Sequence, residues 1–191
     1  QQRASEIKGA IRHAWRGYAA VAFGHDEIAP VSNLPIDSYG VTLIDALDTL
    51  WIAGLEDEFQ HALQRIYNLS YDYKTTNIQF FGTVIRTIGG LLSAHELSQN
   101  QQCLLKALEM AEILVPAFNT ATHLPAHAIN PKLNRVAYDS WVNGHTILSE
   151  MGSIQLEYKK LSHYSLDPKY DQKVSRLRIS GTLNRLTVAP N

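Results

Sequence analysis

Phe80-Phe81-Gly82-Thr83-Val84-Ile85-Arg86-Thr87-Ile88-Gly89-Gly90-Leu91-Leu92-Ser93-Ala94-His95-Glu96-Leu97-Ser98 is the stretch whose reading decides the fold. Its apolar spacing predicts a helix over residues 81–97. Gly89 and Gly90 sit inside that helix, where each costs about 1 kcal/mol of helix propensity. Close packing of one helix against another would explain why they are kept. Arg86 stands among Val84, Ile85, Thr87 and Ile88. If it is buried, it needs an acidic partner or a polar ligand.

Helical patterns extend in both directions. Ile7, Ile11, Trp15, Tyr18 and Ala22 predict a helix over residues 5–23, with Ser5 as its cap. Residues 25–39 read as a loop punctuated by Pro30, Asn33 and Pro35. Helices follow over 42–53 and 56–67, broken near Gly54, and residues 68–77 read as a connection. Further helices are expected over 101–115, 146–161 and 168–183, the last opened by Asp167-Pro168. The long segment between Pro116 and Gly144 is rich in Pro, Asn, Thr and His, and a segment of that kind is functional or contains short strands. Thr83-Val84-Ile85 followed by Gly89, and Thr146-Ile147-Leu148 followed by Gly152, share one pattern. Each helix precedes a polar turn and another helix, as in repeated helical hairpins.

Composition narrows the classes. A chain of 191 residues with 45% hydrophobic content can build a substantial core. Its 17 basic and 18 acidic residues give a net charge of -1 with no run of either sign, which offers no nucleic-acid groove. Cys103 is the single cysteine, which excludes an intrachain disulfide and disfavours a cysteine-based zinc site. No window reaches the ~20 apolar residues that span a bilayer. Asn68-Leu69-Ser70 is a candidate glycosylation sequon, meaningful only in the secretory pathway.

Several residues can carry chemistry. Asp45 and Asp48 lie three apart on one helix face among apolar neighbours. They suit either the first turn of a helix, where the dipole favours them, or the mouth of a polar cavity. Glu150 and Glu157 are two turns apart on the same predicted helix, a spacing also common for exposed carboxylates. Acids lining a cleft with one positioned arginine suit glycosidic chemistry, in which carboxylates serve as acid and base. His123 and His127 have the i, i+4 spacing of a metal pair, but Leu124-Pro125 between them argues for a loop with solvated histidines.

The ordered motifs resemble the class I α-mannosidases, glycoside hydrolase family 47. The opening stretch is similar to that family's signature helix. His13-Ala14-Trp15-Arg16-Gly17-Tyr18, the run from Gly24 to Ser32, the run from Gly40 to Leu55, Val115-Pro116-Ala117-Phe118-Asn119-Thr120, Gly152-Ser153-Ile154-Gln155-Leu156-Glu157-Tyr158 and Leu166-Asp167-Pro168 follow in its order. The resemblance covers essentially the whole chain. It implies an all-α fold, a partial (α/α)7 toroid of about three helical hairpins of seven, with residues 1–191 as the N-terminal portion of a single catalytic domain. It implies an inverting, calcium-dependent α-1,2-mannosidase that trims high-mannose N-glycans in the endoplasmic reticulum or Golgi, or is secreted.

Carried over by the same resemblance, Arg86 would hold substrate, and Asp45, Asp48, Glu150 and Glu157 would line the cavity. His25, Asp26 and Glu27 match a characteristic loop without an assigned role. Calcium belongs to the complete family domain, with no metal ligands expected within this chain. Gly82 stands where the family has its acidic residue, the proposed general acid. Glycine cannot donate a proton, and general acid–base help contributes about 10²–10⁴-fold in rate. The expectation is therefore an impaired or inactive copy, and a fragment whose remaining hairpins lie in a missing C-terminal half or another chain. The alternatives are a catalytically dead module that binds high-mannose glycans in glycoprotein quality control, and a helical scaffold with no sugar site.

Overall fold

The structure is a computed structural model that describes residues 1–36, 39–71, 77–138 and 145–176. The chain divides into two compact units, Gln1–Tyr71 with Gly90–Lys106, and Asp72–Gly89 with Ala107–Asn191.

In the first unit, α1 (Gln2–Ala22) buries Trp15, Tyr18 and Ala22 of the expected face, while Ile7 is exposed and the helix begins at Gln2, ahead of the expected cap Ser5. Residues 25–39, read as a loop, contain a small hairpin: β1 (Glu27–Ala29) pairs antiparallel with β2 (Leu34–Ile36), and Ile28 faces Pro35. A two-stranded ribbon tolerates proline because each strand has a free edge. All three β2 residues are exposed, so no inside–outside alternation marked the strand in the sequence. Gly24, at φ 88°, leads into the hairpin, and a Cβ there would strike the Arg65 guanidinium. The buried Tyr18 hydroxyl accepts the Gly24 N–H at 3.2 Å and donates to the His25 carbonyl at 2.8 Å. Burial pushes that phenol up to about 12.

The helix expected over 42–53 is two helices, α2 (Val41–Asp45) and α3 (Leu47–Ile52), divided at Ala46. No proline or glycine marks the break. α4 (Glu56–Tyr67) opens with Glu56, Asp57 and Glu58, which complement its dipole, and buries Phe59, Ala62, Leu63 and Ile66. Its core joins Leu43, Ile44, Leu47 and Leu50 with Leu91 and Leu92 from residues 90–98.

In the second unit, β3 (Ile78–Gln79), β4 (Ala128–Asn130) and β5 (Arg135–Ala137) form an antiparallel sheet in that order, with Ile78 opposite Ile129 and Ala128 opposite Ala137. The short strands expected between Pro116 and Gly144 are present. The predicted helix over 81–97 is composite: α5 (Phe80–Thr83), one π-helical turn (Val84–Ile88) and α6 (Gly89–Ser98). α7 (Gln101–Leu114) runs into a 3-10 turn, Val115–Phe118. The helix expected over 146–161 is α8 (Leu148–Ser153) and α9 (Gln155–Ser165), divided at Ile154. Residues 169–176 are helical, and the expected continuation to 183 lies outside the described residues.

Rings stitch this unit together: Phe80 on Phe118 at 5.3 Å, Phe118 on Tyr158 at 5.4 Å, and Tyr158 on Tyr170 at 6.1 Å. Edge-on pairs of this kind add about 0.5–1.5 kcal/mol each beyond their buried area. The two Thr-apolar-apolar motifs differ in structure. The first lies within α5 and the π turn, whereas Ile147 of the second is still extended, at ψ 125°.

Candidate functional site

Gly82, Arg86, Glu150 and Glu157 all fall in the second unit. Gln79 ends β3 and caps α5, its Oε1 accepting the Gly82 N–H at 3.2 Å. Thr83 Oγ1 donates to the Gln79 carbonyl at 2.8 Å. One turn on, Arg86 occupies the middle of the π turn and is exposed. Single π turns inside helices are rare and recur at functional sites.

Glu157 lies in the first turn of α9 and reaches Gly89, where an added Cβ would sit 3.6 Å from its Oε1. Its Oε2 is buried with no hydrogen-bond partner among the described residues. Burial raises its carboxyl above the ordinary range, against a smaller opposing effect of its backbone hydrogen bond. Such an atom in a native site calls for a ligand or water to complete it. Glu150 lies in the first turn of α8, with Oε2 at 3.5 Å from His127 Nδ1. The His127 side chain is only 2% exposed, which corrects the reading of a solvated histidine. Its carbonyl accepts the Phe80 N–H at 2.8 Å, so one residue both faces Glu150 and anchors the start of α5. Glu150 and Glu157 do not share a helix as expected, because the break at Ile154 puts them on two.

Asp45 and Asp48 fall in the first unit. Asp45 ends α2, and Asp48 sits in the first turn of α3, so the break at Ala46 separates them as well. Asp48 Oδ2 accepts from Ser93 Oγ at 2.8 Å, and its Oδ1 from Thr49 Oγ1 at 3.4 Å. Asp26, whose role the sequence left unassigned, is buried and holds the entry to α2. Its Oδ1 accepts the Val41 N–H at 3.1 Å and its carbonyl the Thr42 N–H at 3.2 Å. Only folding, which brings residue 26 to residue 41, reveals that cap.

His123 is exposed at φ 59°, unlike its buried neighbour in the proposed pair. Among the described residues no group of three or more His, Cys, Asp or Glu side chains is placed to hold a metal ion. Asn68 is exposed at the end of α4, with Nδ2 donating to the Gln64 carbonyl at 2.9 Å. Cys103 is buried, which pushes its thiol up to about 11 and keeps it unreactive. Among the described residues no helix is long and apolar enough to cross a membrane.

The second unit thus carries an exposed arginine on a π turn, a half-buried carboxylate with an unsatisfied oxygen and a further carboxylate beside a buried imidazole. Residues 10–183 match the model of glycosyl hydrolase family 47, and the chain belongs to that family. It is 41% identical over 182 residues to mannosyl-oligosaccharide 1,2-alpha-mannosidase MNS1 of Arabidopsis thaliana, covering 93% of this chain and 32% of that protein. It is 38% identical over 167 residues to the endoplasmic reticulum mannosyl-oligosaccharide 1,2-alpha-mannosidase of Homo sapiens, covering 86% of this chain and 24% of that protein.

Among solved structures, the alpha-1,2-mannosidase from Trichoderma reesei matches with a TM-score of 0.81 and 29% identity, over 92% of this chain and 39% of that one. The expected fold class, all-α and part of an (α/α)7 toroid, is shown by that likeness, with short strands added. The chain spans only about a quarter to a third of the curated relatives' length.

Proposed function

We propose that this chain forms part of an α-1,2-mannosidase-type domain that engages high-mannose N-glycans, with hydrolysis impaired at Gly82. The observation that carries the reading is the family match across residues 10–183; the roles of Arg86 and Gly82 are carried over from the resemblance of the sequence around them to the family's signature helix. Arg86 and Glu157 offer donors and acceptors to sugar hydroxyls. Glu157 Oε2, which lacks a partner among the described residues, is the atom with most to gain from a hydroxyl donor. Glu150, in the same unit, adds a further carboxylate. Residue 82 has no group to protonate a leaving oxygen, so the step that family members catalyse by general acid help loses about 10²–10⁴-fold. Calcium enters as a component of the complete domain, with ligands supplied outside this chain. Similarity to the human endoplasmic reticulum mannosyl-oligosaccharide 1,2-alpha-mannosidase supports N-glycan processing in the secretory pathway. The Asn68 sequon would then be a modification site.

The experiment is mannose release from a high-mannose oligosaccharide, with and without added calcium, beside an active family member. No release is expected. Calcium-dependent release at the relative's rate would overturn the impairment and show that another chain completes the domain. A second reading, glycan binding without turnover, is favoured by Gly82 itself, which removes proton donation and leaves Arg86 in place. Gly82→Glu tests it in a chain joined to the remaining hairpins of a family member. Restored hydrolysis supports the reading, and binding lost in both versions counts against it.

A further inference from the structure

An ideal Cβ on Gly82 would collide with Gln79 Oε1, which means that the Gln79 carboxamide lies along the line a side chain at residue 82 would take as it leaves the backbone. Gln79 is exposed, at the end of β3, and reaches forward three residues to get there. Its hydrogen bond fixes which end is which. The Gly82 N–H needs an acceptor, so the carbonyl oxygen faces the backbone and the NH2 faces away from it. No partner is present for that NH2 among the described residues. By the resemblance to the family's signature helix, residue 82 is also the expected place of its acid, and Arg86 follows one turn later, in the π turn.

We propose that Gln79 takes over the space vacated at residue 82 and is a sugar-contacting residue of this chain. Its NH2 donates hydrogen bonds to the glycosidic oxygen or a neighbouring hydroxyl of an α-1,2-linked mannose unit. A carboxamide donates a hydrogen bond without releasing a proton. It can therefore hold the bond that the family cleaves while leaving it intact. This rests on the glycan-engaging reading above and adds the group that does the holding. Steric exclusion couples the two positions, since the Gln79 carboxamide cannot keep its present place beside a side chain at residue 82.

The test is nuclear magnetic resonance titration of the nitrogen-labelled chain with α-1,2-mannobiose, comparing wild type with Gln79→Ser. Serine is a good helix cap and its oxygen reaches the third helical N–H, so it preserves the bond to Gly82 and removes only the carboxamide. The Gln79 NH2 signals, identified by their loss in the variant, are expected to shift on titration. Affinity should fall roughly fivefold, the worth of one neutral hydrogen bond. If the sugar moves the signals of Arg86 but not those of Gln79, and the variant binds equally well, Gln79 is only a cap and the proposal falls alone. If the sugar moves neither set, the glycan-engaging reading falls with it.

Discussion

Gly90 lies directly against the backbone of Ile44: a Cβ placed on it would sit 3.1 Å from both the Ile44 carbonyl oxygen and its Cγ2. Backbone cannot rotate aside as a side-chain end can. Gly90→Ala gains about 1 kcal/mol of helix propensity but overpacks a site where about 1–3 kcal/mol is typical. The expected result is a net loss of stability. Gly152, in α8, has nothing within 4 Å of an added Cβ, so Gly152→Ala should gain up to about 1 kcal/mol. Urea denaturation of the two variants should move in opposite directions.

Arg86 is exposed on its π turn, so its own guanidinium is solvated. Arg86→Ala should change stability by less than about 1 kcal/mol. Its effect should appear instead as loss of high-mannose glycan binding, read by calorimetry. A large fall in melting temperature with unchanged glycan binding would favour the scaffold reading.

Glu157 offers a sign test. Its carboxyl is raised by burial, so between the unfolded and folded values the native state binds more protons than the unfolded chain. Its contribution to stability therefore declines as pH rises through the ordinary carboxylate range. Glu157→Gln should stabilise the free protein at pH 7 by about 1 kcal/mol, after allowing for partial solvent exposure. The gain should vanish on acidification below about pH 4. The same variant should bind glycan less well, which separates a functional carboxylate from a structural one.

Glu112 behaves in the opposite sense. Burial alone would raise its carboxyl, but hydrogen bonds from Lys169, at 2.6 Å, and from the Tyr170 hydroxyl hold it below the ordinary range. The native state thus binds fewer protons than the unfolded chain, and the stabilisation present at neutral pH is lost as pH falls through the depressed value. Both ionic groups are well exposed, so Glu112→Gln should cost only about 0.5–1 kcal/mol at pH 7. Chemical denaturation at pH 7 and near pH 3 should show the difference shrinking.

The sequence by itself determined the helices with a clear apolar stripe, such as α1 and α4, because the 3.6-residue period is a local property of the chain. It also determined the family, because ordered motifs survive without coordinates. Tertiary structure alone decided the breaks at Ala46 and Ile154, which no proline or glycine announces and which move Asp45 from Asp48 and Glu150 from Glu157 onto separate helices. It decided that Asp26 caps a helix fifteen residues away, that His127 is buried against Glu150, and that Gln79 fills the space beside Gly82. The physical reason is that hydrogen bonds and steric exclusion between residues distant in the chain depend on where the backbone has carried them, and residue spacing along the sequence does not encode that position.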